Sequence, residues 1–276
     1  MAAKHRQVQV VDPNFNKYNF NEKYENPTVG DFDNGDYQRG PEVYLNPPQI
    51  HHLEPQQKEL YVPKQILVHL DLKGAPPKME FLLDFLKQIK NWGATGILLE
   101  YEDMFPFEGM LKDVSASNHY NKSDIFNILI KSKELGLEVI PLVQTFGHME
   151  FILKHGQFAH LRDNSLMPES ICPCHQQSMS LIGLYIDQVM ALHKDSIKHL
   201  HIGCDEVFHL GECSSCASKP RTDVFVNHVA NVAKYVKNKY PQIESVIIWD
   251  DMLRNMMSAE MLPLQVIQIE YNLSKL

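Results

Sequence analysis

His201-Ile202-Gly203-Cys204-Asp205-Glu206 reads as a short apolar strand that ends on two adjacent carboxylates. Side chains alternate along a regular strand, so neighbouring acids would face opposite ways. Both can reach one pocket only if the strand stops there and the backbone curls over. That geometry is found at the C-terminal mouth of a (β/α) barrel. The competing reading is a solvated Asp-Glu pair at a helix N-terminus, where the dipole favours acids.

Upstream and downstream of this stretch, strand and helix patterns alternate. Ile66–Asp71 reads as a buried strand, and 78–91 as a helix with Phe81, Leu82, Phe85, Leu86 and Ile89 on one stripe. A second strand spans 96–101, and a helix follows over 123–135 with Ser123 as its N-cap and Gly136 as its left-handed terminator. A third strand over 138–145 leads into Phe146-Gly147-His148. The helix expected over 178–193 carries Ile182, Tyr185, Ile186, Val189 and Met190 on one face. Strand four covers 199–204, and a helix over 222–240 carries Phe225, Val229, Val232 and Val236. Strands five and six fall at 245–249 and 264–269.

Continuous apolar strands alternating with amphipathic helices predict an α/β fold with a parallel, helix-covered sheet. No G-x-G-x-x-G or G-x-x-x-x-G-K follows any strand, which removes the usual support for a nucleotide-binding sheet. Polar residues recur instead at the downstream strand ends: Asp71, Glu100 and Glu102, Gln144 and His148, Asp205 and Glu206, Asp250 and Asp251, Glu270. Convergence on one rim is what a (β/α)8 TIM-type barrel supplies. Only about six strands fit before Leu276, so the expected barrel is truncated. Residues 1–63 form a separate zone, with seven of the sixteen prolines and no apolar periodicity. They are expected to be poorly ordered, with a short contact near Val8–Val11; 64–276 would be the partial barrel.

The chain has 276 residues, is 44% hydrophobic and 22% charged, and carries a formal charge of −8. This balance fits a globular domain with a real core and argues against a nucleic-acid partner. No run approaches the roughly eighteen apolar residues of a membrane span. The N-terminus has no apolar signal-peptide core, so cytoplasm or nucleus is the expected location. Five cysteines, an odd number, fit reduced thiols. Cys172-Pro173-Cys174 and Cys213-Ser-Ser-Cys216 could together ligate zinc, although C-x-C is an unusual half-site. His199 and His201 share a strand face and, with Asp205, leave a metallohydrolase reading open. His69 points with Asp71 and reads as an interior histidine.

The run at 201–206 resembles the H-x-G-[GC]-D-E motif of glycoside hydrolase family 20, the β-N-acetylhexosaminidases. Val68–Gly74, Leu99–Pro106, Pro141–His148 and Ile248–Leu253 resemble the hexosaminidase D branch of that family, in the right order. The resemblance implies a retaining glycosidase without an enzyme nucleophile, in which the substrate's 2-acetamido oxygen attacks the anomeric carbon. It makes Glu206 the general acid and Asp205 the ionised partner that binds the acetamido N–H and stabilises the oxazolinium-like intermediate. A carboxyl that must hold a proton near neutral pH needs desolvation or a neighbouring like charge, which Asp205 supplies.

The resemblance makes Trp249 the wall for the acetamido methyl and places His148 in support of the acid pair; Asp71, Glu100 and Asp251 at the strand ends are further candidates for binding substrate. Trp249 could otherwise be a core indole, and Glu100 and Glu102 solvated loop acids. Where the family has an arginine near the first strand end, Lys73 stands here without the planar fork. The resemblance implies no cofactor and no catalytic metal. The expected partner is a glycan or glycoconjugate bearing terminal N-acetylgalactosamine or N-acetylglucosamine; a homodimer is left open. The family's later aromatic walls and its acetamide-binding Tyr are not matched, and Glu270 stands where another aromatic is expected. A truncated, non-catalytic sugar- or partner-binding product is therefore the alternative.

Overall fold

The computed structural model describes residues 9–10, 63–193, 196–265 and 269–272. The chain divides into two units, residues 1–13 with 63–276, and residues 14–62. The second unit lies outside the described residues, as does most of the segment expected to be poorly ordered.

Six parallel strands build the sheet: β2 (Ile66–Asp71), β3 (Gly96–Glu100), β4 (Glu138–Leu142), β7 (His199–His201), β8 (Ser245–Trp249) and β9 (Ile269–Asn272). A two-residue strand, β1 (Gln9–Val10), pairs antiparallel with β2, where a contact near Val8–Val11 was expected. The order is β1-β2-β3-β4-β7-β8-β9, so each parallel strand lies beside its successor in the barrel series. Helices α1 (Met79–Asn91), α2 (Lys122–Glu134), α4 (Ser178–His193) and α5 (Arg221–Lys239) supply crossovers. Two one-turn helices, α3 (Glu150–Leu153) and α6 (Leu262–Gln265), lie in connections.

The strands have two differently built faces, as period-two alternation requires. Ile97, Leu99, Val139, Val143, Leu200, Ile202, Val246 and Ile248 join the large core shared with the helices. Leu67, Leu98, Ile140, Leu142 and Ile247 form a second, smaller cluster with Trp249 packed against it. The small cluster is the inner layer of the barrel. Two residues further along each strand, the same inner face carries His69, Glu100, Gln144 and Trp249. The inner face therefore turns from aliphatic to polar toward the C-terminal strand ends.

The helical stripes are buried largely as their spacing predicts. Ile182, Tyr185, Ile186, Val189 and Met190 of α4 are buried, as are Phe225, Val229, Val232 and Val236 of α5. Burying each such side chain contributes about 1.5–3 kcal/mol. Phe81 departs from its expected stripe, lying 61% exposed while Leu82, Leu86 and Ile89 are buried.

Several local expectations are corrected, among them the third strand, which ends at Leu142 rather than at 145. The N-cap of α2 is Asn121, not Ser123. Asn121 Oδ1 accepts from the Asp124 N–H at 2.9 Å, and Asp124 Oδ2 accepts from the Asn121 N–H at 2.9 Å, a reciprocal capping box. Strand four stops at His201 rather than Cys204, because Gly203 and Cys204 take left-handed φ values of 69° and 73°. Residues 262–265 are helical, so the sixth parallel strand begins at Ile269, not 264. A hairpin of β5 (Arg162–Asn164) and β6 (Met167–Ile171) was not expected, since Arg-Asp-Asn and Pro168 hide any apolar alternation. Gly136 ends α2 with φ 61°, as its position predicts.

Candidate active site

A cleft of about 320 Å³ opens among the C-terminal ends of β2, β3, β4, β7 and β8. Its size lies at the lower end of the range for small-ligand pockets. The backbone that shapes it is strained where regular strands could not place the side chains. Among the described residues, left-handed φ at non-glycine positions occurs at Glu102 (47°), His148 (51°), Cys204 (73°) and Glu206 (48°). Glu102, His148 and Glu206 line the cleft, and Cys204 is buried directly before Asp205. Each such conformation costs about 1–3 kcal/mol, and clustering of this kind marks functional sites.

The curl that the paired acids require is present. After β7 ends, the left-handed residues turn the chain so that Asp205 and Glu206 face the same imidazole. His148 Nε2 lies 3.4 Å from Asp205 Oδ2 and 3.4 Å from Glu206 Oε2. Asp205 is 23% exposed and Glu206 56%, so one acid is sunk in the cleft and the other stands at its lip. Asp205 Oδ1 is buried and has no protein hydrogen-bond partner. Beneath them, Thr145 Oγ1 donates to the Ile202 carbonyl at 2.7 Å, and His228 Nε2 donates to the Thr145 carbonyl at 2.8 Å. Asp251 braces the turn from the other side, its Oδ2 accepting the Glu206 N–H at 2.9 Å.

Trp249 ends β8 and lies half-buried, with its ring 4.5 Å from His201 and 5.8 Å from His69. Glu100 is buried, with one oxygen bonded to His69 Nε2 at 2.9 Å and the other accepting from Gln144 Nε2 at 2.8 Å. It therefore ties β2, β3 and β4 together behind the cleft. Asp71 is exposed at the rim, and its Oδ1 accepts the Lys73 N–H at 3.1 Å. Lys73 Nζ bridges Glu102 at 2.9 Å and Glu150 at 3.1 Å, and Arg254 forks onto Asp250 with contacts of 3.0 and 3.1 Å.

All five residues expected to bind substrate thus line one cleft with the acid pair. His69 was expected only as an interior histidine and His201 only as a possible metal ligand, and Glu150 and Arg254 were not expected to contribute. For His69 and His201 the signal was available, because both share the inner-face parity of Trp249. Glu150 and Arg254 are joined to the site only by contacts across connections.

Charge is unevenly distributed in the cleft. The Asp205 carboxylate, hydrogen-bonding to His148, raises that imidazole from its ordinary 6.5 to about 9. For Asp205, burial pushes upward, but the contacts with His148, its own backbone and the Gln144 side chain together hold the carboxyl below its usual range. Burial raises the Asp251 carboxyl, with Asp205 adding to the effect. Burial likewise pushes Glu102 up to about 8, against the pull of Lys73. His201 is fully buried and pushed down to about 3, so it stays neutral beneath Trp249.

These shifts carry a pH signature. A histidine raised in the folded state contributes stability that is complete below its unfolded value, near 6.5, and is lost as pH rises through about 9. Unfolding free energy is therefore expected to fall across that window. The His148→Asn protein should lack this component, and NMR titration of His148 should centre near 9. Titration at or below 6.5 would contradict the contact with Asp205.

His199, His201 and Asp205 do not converge as metal ligands. His199 Nε2 pairs with Glu138 Oε1 at 3.3 Å, and His201 Nδ1 accepts the Gly203 N–H at 3.0 Å. Among the described residues the convergent metal-ligand cluster is instead Asp163, Cys172, Cys213 and Cys216.

The model of the glycosyl hydrolase family 20 catalytic domain matches residues 93–270. Hexosaminidase D of Homo sapiens is 46% identical over 196 residues, covering 69% of this chain and 40% of that protein. Hexosaminidase D of Bos taurus is 45% identical over 195 residues, covering 68% and 56%. The chain thus spans about half the length of these relatives. Among solved structures, Dispersin B superposes with a TM-score of 0.57 at 16% identity, covering 74% of this chain and 62% of that one. Flavobacterium johnsoniae chitobiase gives 0.58 at 15% identity, covering 70% and 32%. At such identities the likeness shows the fold, an α/β architecture of the TIM-barrel type.

Proposed function

The chain belongs to glycosyl hydrolase family 20, and from that premise we propose that it is a β-N-acetylhexosaminidase. It removes terminal N-acetylgalactosamine or N-acetylglucosamine with retention, using the substrate's acetamide as nucleophile. The observation that carries this reading is the pairing of Asp205 and Glu206 on one imidazole beside Trp249.

The two acids meet different surroundings, as divergent roles require. Asp205 is held ionised and keeps one buried oxygen without a protein partner. An acetamido N–H placed there gains a charge-assisted hydrogen bond, and the same carboxylate faces positive charge on the cyclised intermediate. Glu206, at the open lip, can reach the glycosidic oxygen, give it a proton and afterwards take one from water. Trp249 presents an apolar face for the acetamido methyl. His148 faces both acids, 3.4 Å from an oxygen of each, and holds them in position. Asp251 holds the Glu206 backbone, and Asp71 is the exposed acceptor for sugar hydroxyls.

The test is selectivity for the acetamide. The purified chain should hydrolyse an aryl N-acetyl-β-hexosaminide, ignore the matching aryl β-hexoside, and be inhibited by a thiazoline mimic of the cyclised acetamide. Equal turnover of both substrates would overturn substrate assistance. Sugar binding by a folded chain without hydrolysis would replace the proposal with a binding role.

A further inference from the structure

Away from the cleft, three thiols (Cys172, Cys213 and Cys216) converge with Asp163, and a fourth thiol, Cys174, lies beside Cys216. Cys172 and Cys174 follow β6 directly; Cys213 and Cys216 lie in the connection between β7 and α5. Cys172 Sγ lies 2.8 Å from Cys213 Sγ and 3.9 Å from Cys216 Sγ. Cys172 and Cys216 are buried. Cys174 sits beside Cys216, and its sulfur accepts from Lys219 Nζ at 3.2 Å. None of the four lines the cleft.

We propose that Cys172, Cys174, Cys213 and Cys216 bind one zinc ion that staples the β6 end to the β7–α5 connection. Zinc–sulfur bonds of about 2.3 Å in a tetrahedron put neighbouring sulfurs about 3.8 Å apart. The Cys172–Cys216 separation already matches that edge. The Cys172–Cys213 pair, at 2.8 Å, stands between the roughly 2.05 Å of a disulfide bond and the edge of a zinc tetrahedron, and needs to open by about 1 Å to become a ligand edge. A disulfide would use two of the sulfurs and leave Cys216 crowded against them; a metal uses all four.

The backbone is also arranged as a knuckle. The Cys216 and Ala217 N–H groups both donate to the Cys213 carbonyl, at 3.0 and 2.9 Å, folding the C-x2-C turn back on itself. Asp163 lies within ligand distance of three thiols, but its oxygens are occupied. They accept from the N–H groups of Gly211 at 2.5 Å, Glu212 at 3.3 Å and Cys213 at 3.0 Å. Asp163 is thus the positioning residue that holds the knuckle. Each thiol loses its proton to solvent as its sulfur–zinc bond forms, leaving a site of net charge −2 that the Lys219 ammonium partly offsets.

Metal content decides this independently of glycosidase activity. The full chain, purified without chelator, is expected to hold about one zinc per polypeptide by plasma mass spectrometry. Cobalt exchange should give intense tetrahedral d–d bands and thiolate-to-cobalt charge-transfer bands of tetrathiolate strength. Cys213→Ser and Cys216→Ser should each cut bound zinc several-fold. A metal-free chain that fails to take up zinc overturns the proposal. So does a Cys172–Cys213 disulfide recovered by non-reducing peptide mapping. Should the serine variants fail to fold, the cobalt spectrum of the parent chain stands alone, and bands indicating two thiolates or fewer overturn it.

Discussion

Replacing Glu206 with Gln should slow hydrolysis of an N-acetyl-β-hexosaminide by about 10²–10⁴-fold, the contribution of a positioned general acid. The loss should grow as the leaving group becomes poorer. A nitrophenolate departs without much help, whereas a sugar alkoxide cannot leave without a proton. Asp205→Asn should behave differently. In the proposed mechanism its carboxylate acts on the acetamide rather than on the leaving oxygen, so a loss of about 10²–10³-fold should be nearly independent of leaving group. His148 should then titrate well below 9, because the contact that raises it has gone. Rates measured for both variants on aryl and disaccharide substrates separate the roles. Turnover equal to the parent in either variant removes that acid from the mechanism.

A single methyl group at a residue that does not itself line the cleft should do comparable damage. A Cβ at Gly147 would clash with the Asp205 carbonyl oxygen and stand 3.4 Å from Val207 Cγ2 and 3.5 Å from the Glu206 carbonyl oxygen. The nearest obstacle is backbone and cannot swing aside as a side chain would. Gly147→Ala must therefore move the strand end that presents both acids. Overpacking of this kind costs about 1–3 kcal/mol, and a shift near 1 Å in a catalytic group costs about 10²-fold in rate. We expect a kcat loss of that order with little change in KM, in a protein that remains folded. Gly156→Ala is the control, since its methyl would meet nothing within 4 Å. A Gly147→Ala enzyme with parental kcat would show that the approach of 146–148 to 203–206 does not set the acid geometry.

Much of the fold was legible in the chain because it is written in local periodicity. The α4 and β8 boundaries agree with the expected ones, and the buried stripes of α4 and α5 follow from helical spacing. The corrected boundaries fall where local preference competes with tertiary contact. At α2, the Asn121–Asp124 box outcompetes Ser123, whose own hydroxyl turns back to Asn121 Oδ1. At β7, the strand gives way to a left-handed turn that no alternation pattern announces. The β5–β6 hairpin is held by local cross-strand pairing that no alternation announces, and by Asp163's non-local grip on 211–213.

The sequence by itself determined the alternation of strands and helices, the chemistry at each strand end and the motif shared with family 20. These depend on residue type and short-range spacing, which a chain displays before it folds. Only the tertiary structure decided that Asp205 and Glu206 meet at one imidazole, that Glu100 is a buried tie between strands, and that sulfurs forty residues apart converge. Those outcomes depend on where parallel strands bring distant loops, and on left-handed turns that the surrounding packing must enforce.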